Sequence, residues 1–187
     1  MFARKGYKAT SVSDIAAAAG IGKGTVYAYF KNKRELFIAA IQKWYEQNFA
    51  LIRTELAQID HPEEKLKCYI FSCEKLFVLE NKFAVNFFLE VLRQTLFEDG
   101  ILHHQKSILQ EILYEQTRFV ADILLNGISQ GVFKPEIAPE VENIASSILA
   151  FLDGMEFRIL AFPKMMPWKE QIINYVDSML SLIRLEP

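Results

Sequence analysis

The chain is predicted to be all-α. Apolar residues recur at helical spacing almost throughout, and no segment alternates apolar and polar residues in the manner of a strand. Turn-forming clusters also fall between stretches long enough for helices: Gly20 to Gly22, Lys31-Asn32, Asp60 to Pro62, Asn81-Lys82, Glu98 to Gly100, Gly131 to Pro139 and Phe162 to Pro167. Hydrophobic residues make up 51% of 187, ample for a packed core.

Eight helical stretches lie between these marks. Ser11 followed by Asp14 has the form of an N-cap with an acid three positions on, opening a short helix from Val12 to Ala19. Gly20-Ile21-Gly22 is a tight turn, in which Gly20 takes a left-handed conformation and Ile21 plugs the core between two helices. A second short helix runs from Lys23 to Phe30, with Val26 and Phe30 four apart on one side. Asn32 and Glu35 repeat the cap-and-acid pattern and open a long helix that reaches about Gln58, carrying Leu36, Phe37, Ala40, Ile41, Trp44, Tyr45, Ile52 and Leu56 as its stripe. Pro62 suits the first turn of the next helix, to about Glu80. Further helices are expected over 82–97, 103–130, 139–161 and 167–185.

The net charge of −2 hides an asymmetry. Residues 1–45 hold eight basic and two acidic residues, a net +6, so the remaining 142 carry −8. A compact basic segment on an acidic body concentrates positive potential where a polyanion would bind. The domains expected are accordingly 1–45, a basic head suited to a polyanion, and 46–187, a helical body.

Several classes are excluded. The longest uncharged run, Ile123 to Phe133, is 11 residues, and a bilayer crossing needs about 20 apolar ones. The N-terminus MFARKGYKATS has no apolar secretory core, so a cytoplasmic location is expected. Cys68 and Cys73 are read as buried reduced thiols. His103 and His104 are adjacent and face different ways on a helix, so no metal is expected. Gly22-Lys23-Gly24-Thr25 lacks the earlier Gly and the strand of a phosphate loop, and no catalytic arrangement or cofactor motif stands out. The chain is read as not an enzyme.

A short helix, a Gly-containing turn and a second short helix displaying Lys, Thr and Tyr have the form of a DNA-reading helix-turn-helix. The run SVSDIAAAAGIGKGTVYAYFKNKRELF closely resembles the DNA-binding signature of TetR/AcrR-type regulators, over Phe2 to Phe37, with weaker echoes in FVADILLNGISQGVF and IASSILAFLDGMEFRILAF. The resemblance implies that Lys23 and Gly24 approach base edges and that Tyr27 meets a base or a phosphate. It implies phosphate contacts for Thr25 and Tyr29, a phosphate clamp at Lys33, and places for Ser11 and Ser13 on the DNA side of the preceding helix. Relatives carry a complete helix before the Phe-x-x-x-Gly stretch, whereas here only MFARKGY stands. Most of the first helix is therefore expected to be missing, with Phe2 and Ile15 exposed.

The acidic body is rich in Phe. In the resembled family the central helices enclose an effector cavity, which implies a small apolar or aromatic effector held by Phe71, Phe87, Phe119 and Phe151 and oriented by Asn86, Glu90, Arg93 and Arg118. Mutual ion pairing is the competing reading of those polar residues. Ser146, Ala150 and Gly154 form a strip of small side chains. With Trp168, Ile172, Val176, Met179, Leu180 and Ile183 it lies on the two helices that, as the resemblance implies, meet their symmetry copies in a homodimer that reads a palindromic double-stranded operator. The alternative is a helical small-molecule binding protein with a non-functional head.

Overall fold

The computed structural model describes residues 1–77, 82–104, 106–162 and 167–185. Among them are nine α-helices: α1 Phe2–Ala9, α2 Val12–Ala18, α3 Lys23–Tyr29, α4 Lys33–Leu56, α5 Pro62–Phe77, α6 Lys82–Leu96, α7 Ser107–Ser129, α8 Val141–Ala161 and α9 Trp168–Ile183. One 3-10 helix, Pro135–Glu140, precedes α8. The all-α prediction holds, and among the described residues no helix is long and apolar enough to cross a membrane.

Two compact units share these helices. The first comprises Met1–Phe49 with Leu79–Glu111, and the second Ala50–Val78 with Ile112–Pro187. The first unit thus takes in α6 as well as the basic N-terminal segment.

Local chemistry sets the ends of the short helices. Ser11 Oγ accepts from the Asp14 amide at 3.0 Å while the Asp14 carboxylate accepts from the Ser11 amide at 3.1 Å, so two orphan donors at the start of α2 are satisfied at once. These bonds, with Lys5 nearby, hold the Asp14 carboxyl below its usual range. Gly20 has φ +68°, which lets the chain reverse after α2. Asn32 Oδ1 accepts from the Glu35 amide at 2.9 Å, and the Glu35 carboxylate accepts from the Lys31 amide at 2.7 Å, which opens α4. Val12, Ala16 and Val26 are buried together, with Phe30 and Leu36 packed against them. Ile21, expected to plug this core, is instead 46% exposed.

The beginning of the chain corrects another expectation. Residues 2–9 are helical, interrupted at Gly6 (φ 73°, ψ 170°). Phe2 is not left exposed: it is buried, 4.9 Å from the Phe37 ring and 5.9 Å from that of Tyr7. Ile15 is half-buried, beside an open groove of about 310 Å³ that it shares with Met1, Phe2, Ala18, Ala19, Leu36 and Ala40.

In the second unit Leu66, Tyr69 and Ile70 of α5, Val120, Ala121, Ile123 and Leu124 of α7, a long stripe of α8 and Ile172, Val176 and Leu180 of α9 are buried. Each such apolar side chain contributes roughly 1.5–3 kcal/mol relative to exposure. After α9 the chain is tied back: the Lys134 amide donates to Ile183 O at 2.8 Å and the Leu185 amide to Val132 O at 3.0 Å. Arg184 then grips Glu63 through Nε (2.8 Å) and Nη2, while Lys67 reaches the same carboxylate at 2.9 Å. Cys68 is a half-buried free thiol, and the Cys73 side chain lies outside the described residues.

Helix α7 starts later than expected. Gln94, fully buried on α6, accepts from the Ile101 amide with its side chain (3.1 Å) and from the Leu102 amide with its carbonyl (3.0 Å), holding residues 101–104 in turns.

Candidate nucleic-acid interface

Helix α3 is almost wholly a displayed surface. Only Val26 is buried, and Lys23, Gly24, Thr25, Tyr27 and Tyr29 are all exposed, Tyr29 by 78% and Tyr27 by 47%. A phenol ring turned to water that far is not packing a core, and its hydroxyl is available to an oxygen acceptor. Lys23 Nζ stands 5.7 Å from the Tyr27 ring centroid, close to the outer limit of a cation–π contact. Gly24 has nothing within 4 Å of where a Cβ would stand, so another molecule's surface has a clear approach to that backbone. Ser13 is exposed on α2, and Ser11 accepts its cap bond while its hydroxyl proton remains free to donate.

Lys33, expected to clamp a phosphate, is engaged within its own chain. Its ammonium donates to Tyr7 O at 2.9 Å and Thr10 O at 3.0 Å, and stands 4.3 Å from the Tyr7 ring centroid. These carbonyls, at the C-terminal end of α1, carry the negative end of the helix dipole, and that of Tyr7 also accepts from the Thr10 amide at 3.3 Å. Lys33 therefore staples α1 to the start of α4.

Helix α6 supplies what the sequence reading missed. The Glu90 carboxylate accepts from the Tyr7 amide at 2.8 Å and from Gln94 Nε2 at 2.7 Å. Arg93 Nη2 pairs with Asp99 at 3.2 Å, and Lys8 bonds the same carboxylate, holding it below its usual range. Burial pushes the Tyr7 phenol up, against the opposing effect of Arg34. Phe87 is buried among the rings of Phe37 (6.0 Å), Trp44 (5.8 Å) and Phe83 (6.5 Å).

The candidate effector residues are divided between the two units. Asn86, Phe87, Glu90 and Arg93 belong to the first unit, where Asn86 is exposed and the other three are engaged as above. The ion pairing weighed against ligand contact is what Arg93 does, and Glu90 serves a backbone amide.

Phe71, Arg118, Phe119 and Phe151 belong to the second unit. Phe71 is half-buried, and Arg118 is exposed with its guanidinium 5.9 Å from the Tyr114 ring. Phe151 stacks on Tyr175 at 3.7 Å. Phe119 lies 5.7 Å from Tyr69 and lines an open groove of about 390 Å³ with Arg53, Leu56, Pro62, Lys65 and Asp122.

A basic helix-turn-helix whose second helix shows its polar side chains to solvent, followed by an all-α chain, defines a helical DNA-binding regulator. Residues 1–40 match the model of the bacterial regulatory proteins of the tetR family. Among curated proteins the chain is similar to the HTH-type transcriptional regulator TtgR of Pseudomonas putida, 26% identical over 198 residues, covering 100% of this chain and 87% of that protein. It is similar also to the fatty acid metabolism regulator protein of Bacillus subtilis, 30% identical over 134 residues, covering 72% of this chain and 66% of that one. Its fold is shared with the TetR-family transcriptional regulator of Cytophaga hutchinsonii, with a TM-score of 0.79 at 19% identity, covering 100% of this chain and 90% of that chain. The chain belongs to the TetR family of transcriptional regulators.

Proposed function

We propose that this regulator is a homodimeric repressor that binds a palindromic DNA operator through paired α3 helices and is released from it by a small, largely apolar effector. The observation that carries the reading is α3 itself, where Lys23, Thr25, Tyr27 and Tyr29 face solvent around the single buried Val26. Lys23 donates to guanine acceptors, and Thr25, Tyr29, Ser11 and Ser13 serve backbone phosphates.

Dimerisation is supported by what α8 and α9 leave uncovered. Ser146, Ala150 and Gly154 are exposed in a line along α8, and Phe157 (63%), Ile173 (45%) and Leu182 (72%) are exposed large apolar side chains on the same two helices. Small residues let two helices approach closely, and exposed apolar area favours a covering partner. In such a dimer the reading helices would stand about 34 Å apart, one turn of duplex. Helix α4 runs without a break from Lys33 to Leu56, so its residues belong to both units and it is the covalent route by which an effector would act on the head.

The test is fluorescence anisotropy with duplexes enriched by selection from random sequence. A palindromic consensus, affinity that falls steeply with salt and a dimer by sedimentation support the proposal. No enrichment, or salt-independent binding, overturns it.

A further inference from the structure

The reading helix is supported from outside the helix-turn-helix. The compact unit that holds α3 runs from Met1–Phe49 into Leu79–Glu111, so α6 belongs to it. Helix α6 meets the N-terminal helices through Phe87 and Glu90, three residues apart and therefore neighbours on its surface. The Phe87 ring stands against Phe37 and Trp44 of α4. Glu90 Oε1 accepts from the Tyr7 amide of α1 at 2.8 Å.

That acceptor is itself held in place. Gln94, fully buried, donates to Glu90 Oε1 through Nε2 at 2.7 Å and accepts the Ile101 amide through Oε1 at 3.1 Å. Both ends of the Gln94 amide are thus committed, and the carboxylate can turn away only by taking a partner from a buried donor, which costs free energy. From Tyr7 the contacts continue toward α3. Lys33 Nζ takes the Tyr7 and Thr10 carbonyls, and the Tyr7 ring lies 5.2 Å from that of Phe37. Leu36, beside Phe37 in the chain, packs on the buried cluster that includes Val26 of α3.

We propose that Glu90 is a positioning residue for DNA recognition: it touches no DNA, and holds α1, and with it the start of α4, in the arrangement from which α3 reads. The inference rests on the DNA-reading role of α3. What Glu90 must supply is reach and an accepting oxygen rather than charge, because it meets a backbone amide and a side-chain amide. Without that oxygen the unit samples other arrangements, and apparent affinity falls with the fraction that stays competent.

Two mild variants separate reach from charge. Glu90→Asp keeps the charge and draws the oxygen back by one methylene, away from the Tyr7 amide, whereas Glu90→Gln keeps the reach and the oxygen and removes the charge. The full chain and both variants are titrated by fluorescence anisotropy, well below their melting temperatures, against a duplex selected from random sequence and one of unrelated sequence, at four salt concentrations. We expect Glu90→Asp to lose about three- to tenfold on the selected duplex, the worth of one hydrogen bond, and less on the unrelated one. The slope of log affinity against log salt should stay as it is, since no phosphate contact is removed. Glu90→Gln should bind as the parent does. A Glu90→Asp chain that melts lower but binds both duplexes like the parent would make Glu90 a support of stability alone and overturn the proposal. An equal loss in Glu90→Gln, or a changed salt slope in Glu90→Asp, would put the effect in the charge and overturn it as well. In each of these cases the parent still binds the selected duplex and α3 keeps its role; a parent with no affinity for any duplex overturns both.

Discussion

The backbone amide of Tyr7 donates to the carboxylate of Glu90 at 2.8 Å across 83 residues of sequence. The amide is available because Gly6 leaves the helical conformation, turning the next N–H away from the carbonyl it would otherwise seek. Thr10 Oγ1 takes the Gly6 carbonyl at 2.6 Å, so both sides of the interruption are satisfied. Together with Lys33 on the carbonyls that follow and Lys8 on Asp99, this bond fixes α1 against α4 and α6, and the helix-turn-helix is built on that support.

Replacing Gly6 by Ala tests the arrangement. Its φ of +73° with ψ 170° lies in a region nearly confined to glycine, and an added Cβ would stand 3.1 Å from Glu90 Oε2. A cost of about 1–3 kcal/mol is expected, lowering Tm by roughly 2–4 °C per kcal/mol in a chain of this size. Thermal melting by circular dichroism measures it, and an unchanged Tm would mean that α1 does not depend on this kink.

Lys33 and Lys23 should separate cleanly when each is changed to Met. Lys33 is bonded to carbonyls of its own chain, so Lys33→Met should lower Tm and weaken duplex binding while leaving the salt dependence of binding unchanged. Lys23 has no such bond and is exposed, so Lys23→Met should leave Tm alone and weaken binding at guanine-containing positions. If Lys33 clamped a phosphate, its removal would cut the slope of log affinity against log salt by about one per protomer. Anisotropy titrations at four salt concentrations decide between the two.

The parts of this fold that were legible in the sequence are those whose causes are local. The Ser11/Asp14 and Asn32/Glu35 boxes and the turn at Gly20 depend on residues within four positions, and the ends of α2, α3 and α4 follow from them. Contacts beyond that window were not legible. Glu90 and Arg93 look, in sequence, like polar residues on an apolar helix and so like ligand readers, because nothing near them announces that their partners are Tyr7 N and Asp99. The late start of α7 has the same origin, since Gln94 draws Ile101 and Leu102 out of any helix. A glycine placed inside an N-terminal helix was the one signal that could have pointed to an outside acceptor for the amide after it.

The Glu63–Arg184 pair predicts an acid-sensitive second unit. Hydrogen bonding from Arg184 holds the Glu63 carboxyl below its usual value of 4.5. A depressed carboxyl contributes stability that is present above the unfolded value and lost as pH falls through the lower folded one. Arg184→Met should therefore lower Tm at pH 7, with the gap to the parent chain closing as pH falls below 4.5. Melting curves from pH 3 to 8 read this, and a gap constant across that range would show that Arg184 acts by packing alone.

Glu156 has the opposite sign. Its carboxyl is raised above the ordinary 4.5, so the folded chain binds a proton there more tightly than the unfolded chain does, and stability falls as pH rises above that value. Glu156→Gln removes the penalty without opening a cavity. It should raise Tm at pH 7.5 and approach the parent as pH falls below 4.5, where the carboxyl becomes protonated in both states. The same melting series shows this. A Gln variant that melts below its parent at neutral pH would mean that the carboxylate is compensated after all.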